Sequence, residues 1–256
     1  MGKNLYPEIR RQDMLKRINL QGQVAVTDLA SEYGVSEVTI RADLQALADQ
    51  NLLMRTHGGA VAMSRVPELS LNLRRQQQPL EKASIGAAAA AQIHNGEAVF
   101  LDTSSTALSI IPYLNNHRDI TVITNSLAVS QTLVDMPGIT VVMSGGTLQR
   151  DTLSLVGVEG LELLHKYNIQ KAFLGAHGIS DPEGLTDVSA AEAEVKQQIV
   201  RICRTVVAVL DSTKWGRAGL ASFARLDELD MIITSGNPPQ NLLNKAKSLE
   251  VKVIIV

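Results

Sequence analysis

From Leu80 onward the chain repeats one motif. A short run of almost unbroken Val, Ile and Leu ends in small polar residues, and a helical stretch follows. The runs are AVFLD, ITVITN, ITVVMSGG, KAFLGAHG, TVVAVLDS, LDMIITS and EVKVIIV. A strand with one wet face alternates apolar and polar residues, and these do not. Such runs belong to parallel strands covered on both faces. Between them EKASIGAAAAAQIHNG, TALSIIPYL, SLAVSQTLVDM, VSAAEAEVKQQIVRIC and PQNLLNKAK read as helices. The alternation predicts an α/β domain with a mainly parallel, doubly wound sheet. Aromatic residues make up only 3% of the chain, so its core must be aliphatic.

Residues 7–63 have a different pattern. Pro7 can open a first helix, with Ile9, Met14, Leu15 and Ile18 available for an apolar face and Gly22 as its end. Thr27 is a candidate N-cap for TDLASEY, which Gly34 closes. Ser36 then caps a third helix running to about Gln50, and NLLMRTHGGAVAM reads as two strands joined at Gly58-Gly59. Residues 64–79, SRVPELSLNLRRQQQP, have the composition of a connector. The expected organisation is therefore a small helical domain with a hairpin over 1–63, a linker over 64–79 and an α/β domain over 80–256.

Composition narrows the function classes. Hydrophobic residues at 45% and charged residues at 20% are the mixture of a soluble globular protein. A net charge of −2 gives no whole-chain affinity for nucleic acid or anionic membrane, though it leaves room for a local basic face. The N-terminus has no apolar signal region, and Tyr6 breaks the myristoylation pattern. No apolar run approaches the ~20 residues of a membrane span. Cys203, the single cysteine, cannot form an internal disulfide and reads as a small buried hydrophobe. These features predict a cytoplasmic protein without a membrane partner. No His, Cys or Asp cluster has metal-ligand spacing, so neither metal nor cofactor is expected.

On a helical wheel GVSEVTIRADLQAL puts Ile40, Leu44 and Leu47 on one face and Val38, Arg41, Ala42 and Gln45 roughly opposite. A helix, a turn at Gly34 and a second helix of this size fit a helix-turn-helix, whose second helix enters the major groove of duplex DNA. Its first turns hold Ser36, Glu37, Val38 and Thr39, and Arg41 can reach a phosphate or a guanine edge. The hairpin with Arg55 and His57 would form a wing beside the groove. The expected DNA-contacting set is Ser36, Glu37, Val38, Thr39, Arg41, Gln45, Arg55 and His57.

GVSEVTIRADLQALADQNLLMRTHGGA closely resembles the winged helix-turn-helix of DeoR-type bacterial transcriptional repressors, whose usual form is approximately VSxxTIRRDLxxLxxxGxLxRxHGGA. Ala42 stands where a second Arg is common and removes one cation from the outer face. Asn51 replaces a frequent Gly. The resemblance implies operator binding by an oligomer, a dimer or a tetramer, and an altered operator preference or a weaker phosphate contact from Ala42, without loss of DNA binding.

Ligands of open parallel sheets sit beyond the carboxyl ends of the strands. AVFL runs into Asp102, Thr103, Ser104, Ser105 and Thr106; ITVI into Thr124, Asn125 and Ser126; ITVVM into Ser144, Gly145 and Gly146; TVVAVL into Asp211, Ser212, Thr213 and Lys214. Hydroxyls at a helix start, close-approach glycines and one ammonium suit a phosphate, while Asp102 and Asn125 can bond sugar hydroxyls. The expected ligand set is Asp102, Thr103, Ser104, Ser105, Thr106, Thr124, Asn125, Ser126, Gly145, Gly146 and Lys214, around a small phosphorylated sugar. DTSSTA resembles the family's DxGTTx loop, with Ser104 in place of its glycine. VITNSLAV, SGG, GVEG and LDSTKWG resemble its further blocks, and GLTDVSAAEAEVK the block after the HG turn. The resemblance implies a sensing domain similar in fold to ribose-5-phosphate isomerase.

Two function classes follow. One is a repressor of a carbohydrate operon controlled by a sugar phosphate. The other is a sugar-phosphate isomerase with an added DNA-binding module, needing a carboxylate base from among Asp102, Asp187, Glu192 and Glu194, with Lys196 or Lys214 as electrophile. Glu192 and Lys196 are an i, i+4 pair in AAEAEVKQQ and read as a solvated helix face. The regulator is the expected class, with no catalytic residue. LGAHGIS lacks the dinucleotide fingerprint, and His177 in it reads as a loop residue.

Overall fold

The computed structural model describes residues 6–21, 23–50, 52–56, 58–61 and 70–256. The chain divides into two compact units, 1–68 and 69–256.

The first unit runs α1 (Pro7–Gln21), β1 (Gln23–Ala25), α2 (Val26–Tyr33), α3 (Glu37–Asp49), β2 (Met54–Arg55) and β3 (Gly59–Val61). The strands form an antiparallel sheet in the order β1-β3-β2. Met14 and Ile18 of α1 meet Leu29 and Tyr33 of α2 and Ile40, Leu44 and Leu47 of α3 in a dry core. The wheel thus gives the buried face of α3 correctly, but Ile9 is 52% exposed. Gly34 takes a left-handed conformation (φ 66°), and its N–H donates to the Ala30 carbonyl, ending α2. Helix α2 starts two residues earlier than Thr27 would cap it: Ala25 holds the N-cap position and Thr27 is exposed. Gly22 lies outside the described residues. Gly59 has to be glycine, because a Cβ there would sit 1.9 Å from the Val24 carbonyl oxygen, where β3 pairs with β1.

The second unit begins with α4 (Leu71–Gln76) and α5 (Pro79–Ala90). Then come β4 (Ala98–Leu101), α6 (Ser105–Leu108), β5 (Ile120–Thr124), α7 (Leu127–Leu133), β6 (Ile139–Met143), β7 (Thr147–Gln149), β8 (Ser154–Val156) and α8 (Val158–Leu164). The remainder is β9 (Lys171–Leu174), β10 (Gly178–Ser180), β11 (Gly184–Asp187), α9 (Ala190–Ile202), β12 (Thr205–Leu210), β13 (Ala221–Ala224), β14 (Met231–Thr234), α10 (Gln240–Ser248) and β15 (Lys252–Ile255). The apolar runs form one parallel sheet in the order β6-β5-β4-β9-β12-β14-β15. Separate apolar clusters cover it. Phe100, Leu174, Ile199 and Leu210 belong to one; Leu101, Leu108, Val122, Phe173 and Val209 belong to the other. From β4 the chain winds one way to β6, then returns to β9 and winds the other way. The switch point therefore lies between β4 and β9.

Three details depart from expectation. Residues 70–79 are not connector: α4 is helical, and Leu71 is buried in the core of the second unit. The helix expected over TALSIIPYL breaks into α6 and a 3₁₀ turn at Ile111–Tyr113, where Pro112 has no N–H to give. Strands β10, β11 and β13 form a small antiparallel sheet, and β7 pairs with β8, all too short to show a period.

Candidate effector site and nucleic-acid interface

Helix α3 presents a polar outer face. Ser36 is extended at the N-cap, its Oγ accepting from the Thr39 N–H at 3.1 Å and lying 2.9 Å from Thr39 Oγ1. Removing that cap, Ser36→Ala, is expected to cost the first unit about 1 kcal/mol in chemical denaturation. Val38 is 71% exposed. Arg41 pairs with Glu37 at 2.7 Å, and Gln45 accepts from Arg55 Nη1 at 2.7 Å. The strand β2 that leads into the hairpin turn is thereby tied to the outer face of α3. These are exposed, solvent-screened contacts worth little in the free protein, so the arginines can exchange them for phosphate or a base edge. Asp43, by contrast, faces inward, where Arg10 and Arg11 each donate an Nε–H to it at 2.7 Å. His57 lies outside the described residues.

In the second unit the ends of β6, β5, β4, β9 and β12 stand side by side along one sheet edge. At the switch point Asp102 is spent inward. Its Oδ1 accepts from Ser104 N–H at 2.9 Å, and its Oδ2 accepts from Gly175 N–H at 2.8 Å and lies 3.1 Å from Lys196 Nζ. Lys196 also donates to Asp187 Oδ2 at 2.7 Å and to the Gly175 carbonyl at 2.9 Å. Gly175 allows this closure, since a Cβ there would lie 2.3 Å from Ser104 Oγ. Burial alone would raise the Asp187 carboxyl, but the Lys196 ammonium holds it below the usual carboxylate range. Burial would likewise lower Lys196, yet Asp187 and Asp102 keep it well above an ordinary lysine. Glu192, on the same helix, accepts from Ser154 Oγ at 2.5 Å.

Further cations act along the same edge. Lys214 follows β12 half-buried and makes no ion pair among the described residues. Burial pushes its amine down, Asp211 pulls it up, and the Arg74 and Arg217 cations push it down further. His177 is lowered by burial and by Lys214, against an opposing pull from Asp187. Ser104 caps α6 through the Ala107 N–H, which leaves the N–H groups of Ser105 and Thr106 at positions with no partner inside a helix. Asn125 donates from Nδ2 to the Leu155 carbonyl, while its buried Oδ1 has no hydrogen-bond partner among the described residues. Gly145 and Gly146 (φ 77° and 113°) lie exposed at the end of β6.

A model of the DeoR-like helix-turn-helix domain matches residues 10–66, and one of the DeoR C terminal sensor domain matches residues 77–236. The chain belongs to the DeoR family. Its relatives include a putative aga operon transcriptional repressor from Escherichia coli O157:H7, 32% identical over 96% of this chain and 93% of the relative. The glycerol-3-phosphate regulon repressor of Escherichia coli K12 is 30% identical over 91% and 93%. The ribose 5-phosphate isomerase A of Methanocaldococcus jannaschii superposes on 52% of each chain at 18% identity and a TM-score of 0.38, an overlap too partial to carry any argument. The DeoR-family chain is thus a DNA-binding transcriptional regulator and not an isomerase. Among its described residues no helix is long and apolar enough to cross a membrane.

Of the residues expected around a ligand, Thr103, Ser104, Ser105, Thr106, Asn125, Ser126, Gly145, Gly146 and Lys214 lie along that edge. Asp102 and Thr124 are turned inward, Thr124 donating to the Leu101 carbonyl and accepting from the Ser126 N–H. Arg74 and Arg217, whose charges act on Lys214, and the Asp187–Lys196 pair that joins Asp102 extend the candidate set. Glu192 and Lys196 are not a solvated face: they are 2% and 5% exposed, and Glu194 is the one charged residue of that run that is exposed. His177 does sit in a loop, but within reach of the site's charges. The family's exposed arginine gives a further expectation. Arg41→Ala should weaken operator binding by about 1–3 kcal/mol and lower the salt slope by about one ion. A mobility-shift series over salt concentration measures both.

Proposed function

We propose that the DeoR-family chain represses a carbohydrate operon in the cytoplasm and responds to a phosphorylated sugar bound at the carboxyl edge of its parallel sheet. The observation that carries this reading is Lys214, an amine with no ion-pair partner among the described residues, on which the Arg74 and Arg217 charges act, at the end of β12 on the sheet edge where the end of β4 also lies. Asp102, Asp187 and Asp211 do not supply the missing anion. Asp102 and Asp187 share the one Lys196 ammonium, and Asp211 accepts from the Thr213 N–H and hydroxyl and lies 3.8 Å from Lys82. A phosphate dianion suits the Lys214 amine and the guanidinium charges that act on it. Asn125 Oδ1, a buried acceptor, asks for a donor such as a sugar hydroxyl. The named relatives regulate an aga operon and a glycerol-3-phosphate regulon, which supports a phosphorylated carbohydrate effector.

On the DNA side, Ser36, Glu37, Val38, Thr39, Arg41 and Gln45 would line the major groove, with Arg55 and His57 beside it. A dimer or tetramer would set these surfaces on half-sites spaced by whole helical turns. A thermal-shift screen of aldose and ketose phosphates tests the effector. A true ligand raises the melting temperature by mass action, and Lys214→Ala should remove that rise. A rise undiminished in Lys214→Ala would place the phosphate elsewhere.

A further inference from the structure

Helix α4 sits where the site meets the chain that leads to the first unit. It packs on α6, the helix that the DTSST segment opens. At its start the Leu71 N–H donates to the Asp151 carbonyl in the β7–β8 turn. At its end the Lys82 ammonium, reaching back from α5, donates to the Arg74 and Gln77 carbonyls. That same ammonium lies 3.8 Å from Asp211, which opens the loop carrying Lys214. Between α4 and α5 stands Gln78, with φ 48° and ψ 49°, immediately before Pro79. A non-glycine residue in the left-handed region is strained, and a following proline pushes its predecessor toward extended backbone instead.

Opposing forces therefore meet on one short helix. The buried Leu71, the Asp151 bond and the Lys82 clasp hold it down. The strain at Gln78 works against that, and the like charges of Arg74 and Lys214 act on Lys82 against the pull of Asp211 at 3.8 Å. A dianion among these cations would add to the pull of Asp211 and help the clasp to outweigh the strain.

Building on the effector reading above, we propose that α4 is the switch element of the sensor. A bound phosphate clamps it onto α6 and so fixes where residue 70 hands the chain on toward the DNA-binding unit. The strained hinge at Gln78 keeps the unoccupied state close to release. A ligand can move such an equilibrium only through its different affinity for the two states, and the cation cluster supplies that difference.

Hydrogen exchange on the full chain tests this, with inorganic phosphate first and then a panel of aldose and ketose phosphates as probes. Binding is read independently from the fluorescence of Trp215, the only tryptophan and the neighbour of Lys214. With a bound probe, the amides of 71–77 should exchange several-fold more slowly, while those of α10 stay unchanged. In Gln78→Gly, which relieves the hinge, they should slow about five- to tenfold without any probe. A probe that shifts Trp215 yet leaves α4 exchange untouched overturns the switch while sparing the site. Gln78→Gly exchanging like the parent overturns the strained hinge. If no probe shifts Trp215, the effector reading itself fails and takes the switch with it.

Discussion

Lys196→Met should lower the unfolding free energy of the α/β unit by about 3–5 kcal/mol, the cost of leaving a buried carboxylate without its partner. Here two such groups are at stake: the ammonium touches Asp102 and Asp187, and all three side chains are buried. Had Lys196 been one end of an exposed i, i+4 pair with Glu192, the loss would be about 0.3–0.5 kcal/mol. Trp215 fluorescence in urea follows this unit alone, since no other tryptophan contributes. Adding Asp187→Asn to Lys196→Met should restore part of the loss, because the two residues are in contact and their effects do not add. The acid limb carries the same signature. The folded-state carboxyl of Asp187 is held below its unfolded value, so its contribution is complete above about pH 4 and fades as pH falls through the folded value. In Lys196→Met that dependence should vanish or reverse, since burial alone raises a carboxyl.

The first unit has its own buried charge. Asp43→Ala should destabilise it by up to about 3–5 kcal/mol, because it removes the buried carboxylate that Arg10 and Arg11 both bond. Operator binding would fall with it, although Asp43 points away from the polar face of α3. Hydrogen exchange of the amides in α1–α3 should accelerate, while the Trp215 transition in the other unit stays in place. Normal protection in α1–α3 together with weak DNA binding would instead put Asp43 on the contact surface.

How much of this could be read in the residues follows from the reach of each interaction. The parallel strands were legible because burial on both faces excludes polar residues, and α3 because Ile40, Leu44 and Leu47 repeat at the helical period. Ser36 was legible as a cap because its partner, the Thr39 N–H, is three residues away. The same EAEVK pattern, however, arises whether a helix face meets water or a distant acid. Only the closing of β4 onto β9 brings Asp102 to Lys196 and decides between them. Asp102 and Thr124 were identifiable as strand-end polar residues, but nothing local says that they turn inward. Leu71 and Arg74 were hidden in a Gln- and Pro-rich stretch whose one buried apolar anchor carries no period. Strands β7, β8, β10, β11 and β13 were missed because three or four residues show no alternation.

The central claim is that occupancy of the cation-rich edge beyond the parallel strands sets the grip of α3 on DNA. An operator duplex can be selected from random sequences with the purified chain, and its Kd measured with and without the sugar phosphate that the thermal screen identifies. The account predicts a change of about five- to 150-fold, an equal change in sugar-phosphate affinity on adding the operator, and loss of both in Lys214→Ala with the effector-free Kd intact. An operator Kd indifferent to a bound sugar phosphate, or a response that survives Lys214→Ala, would contradict it.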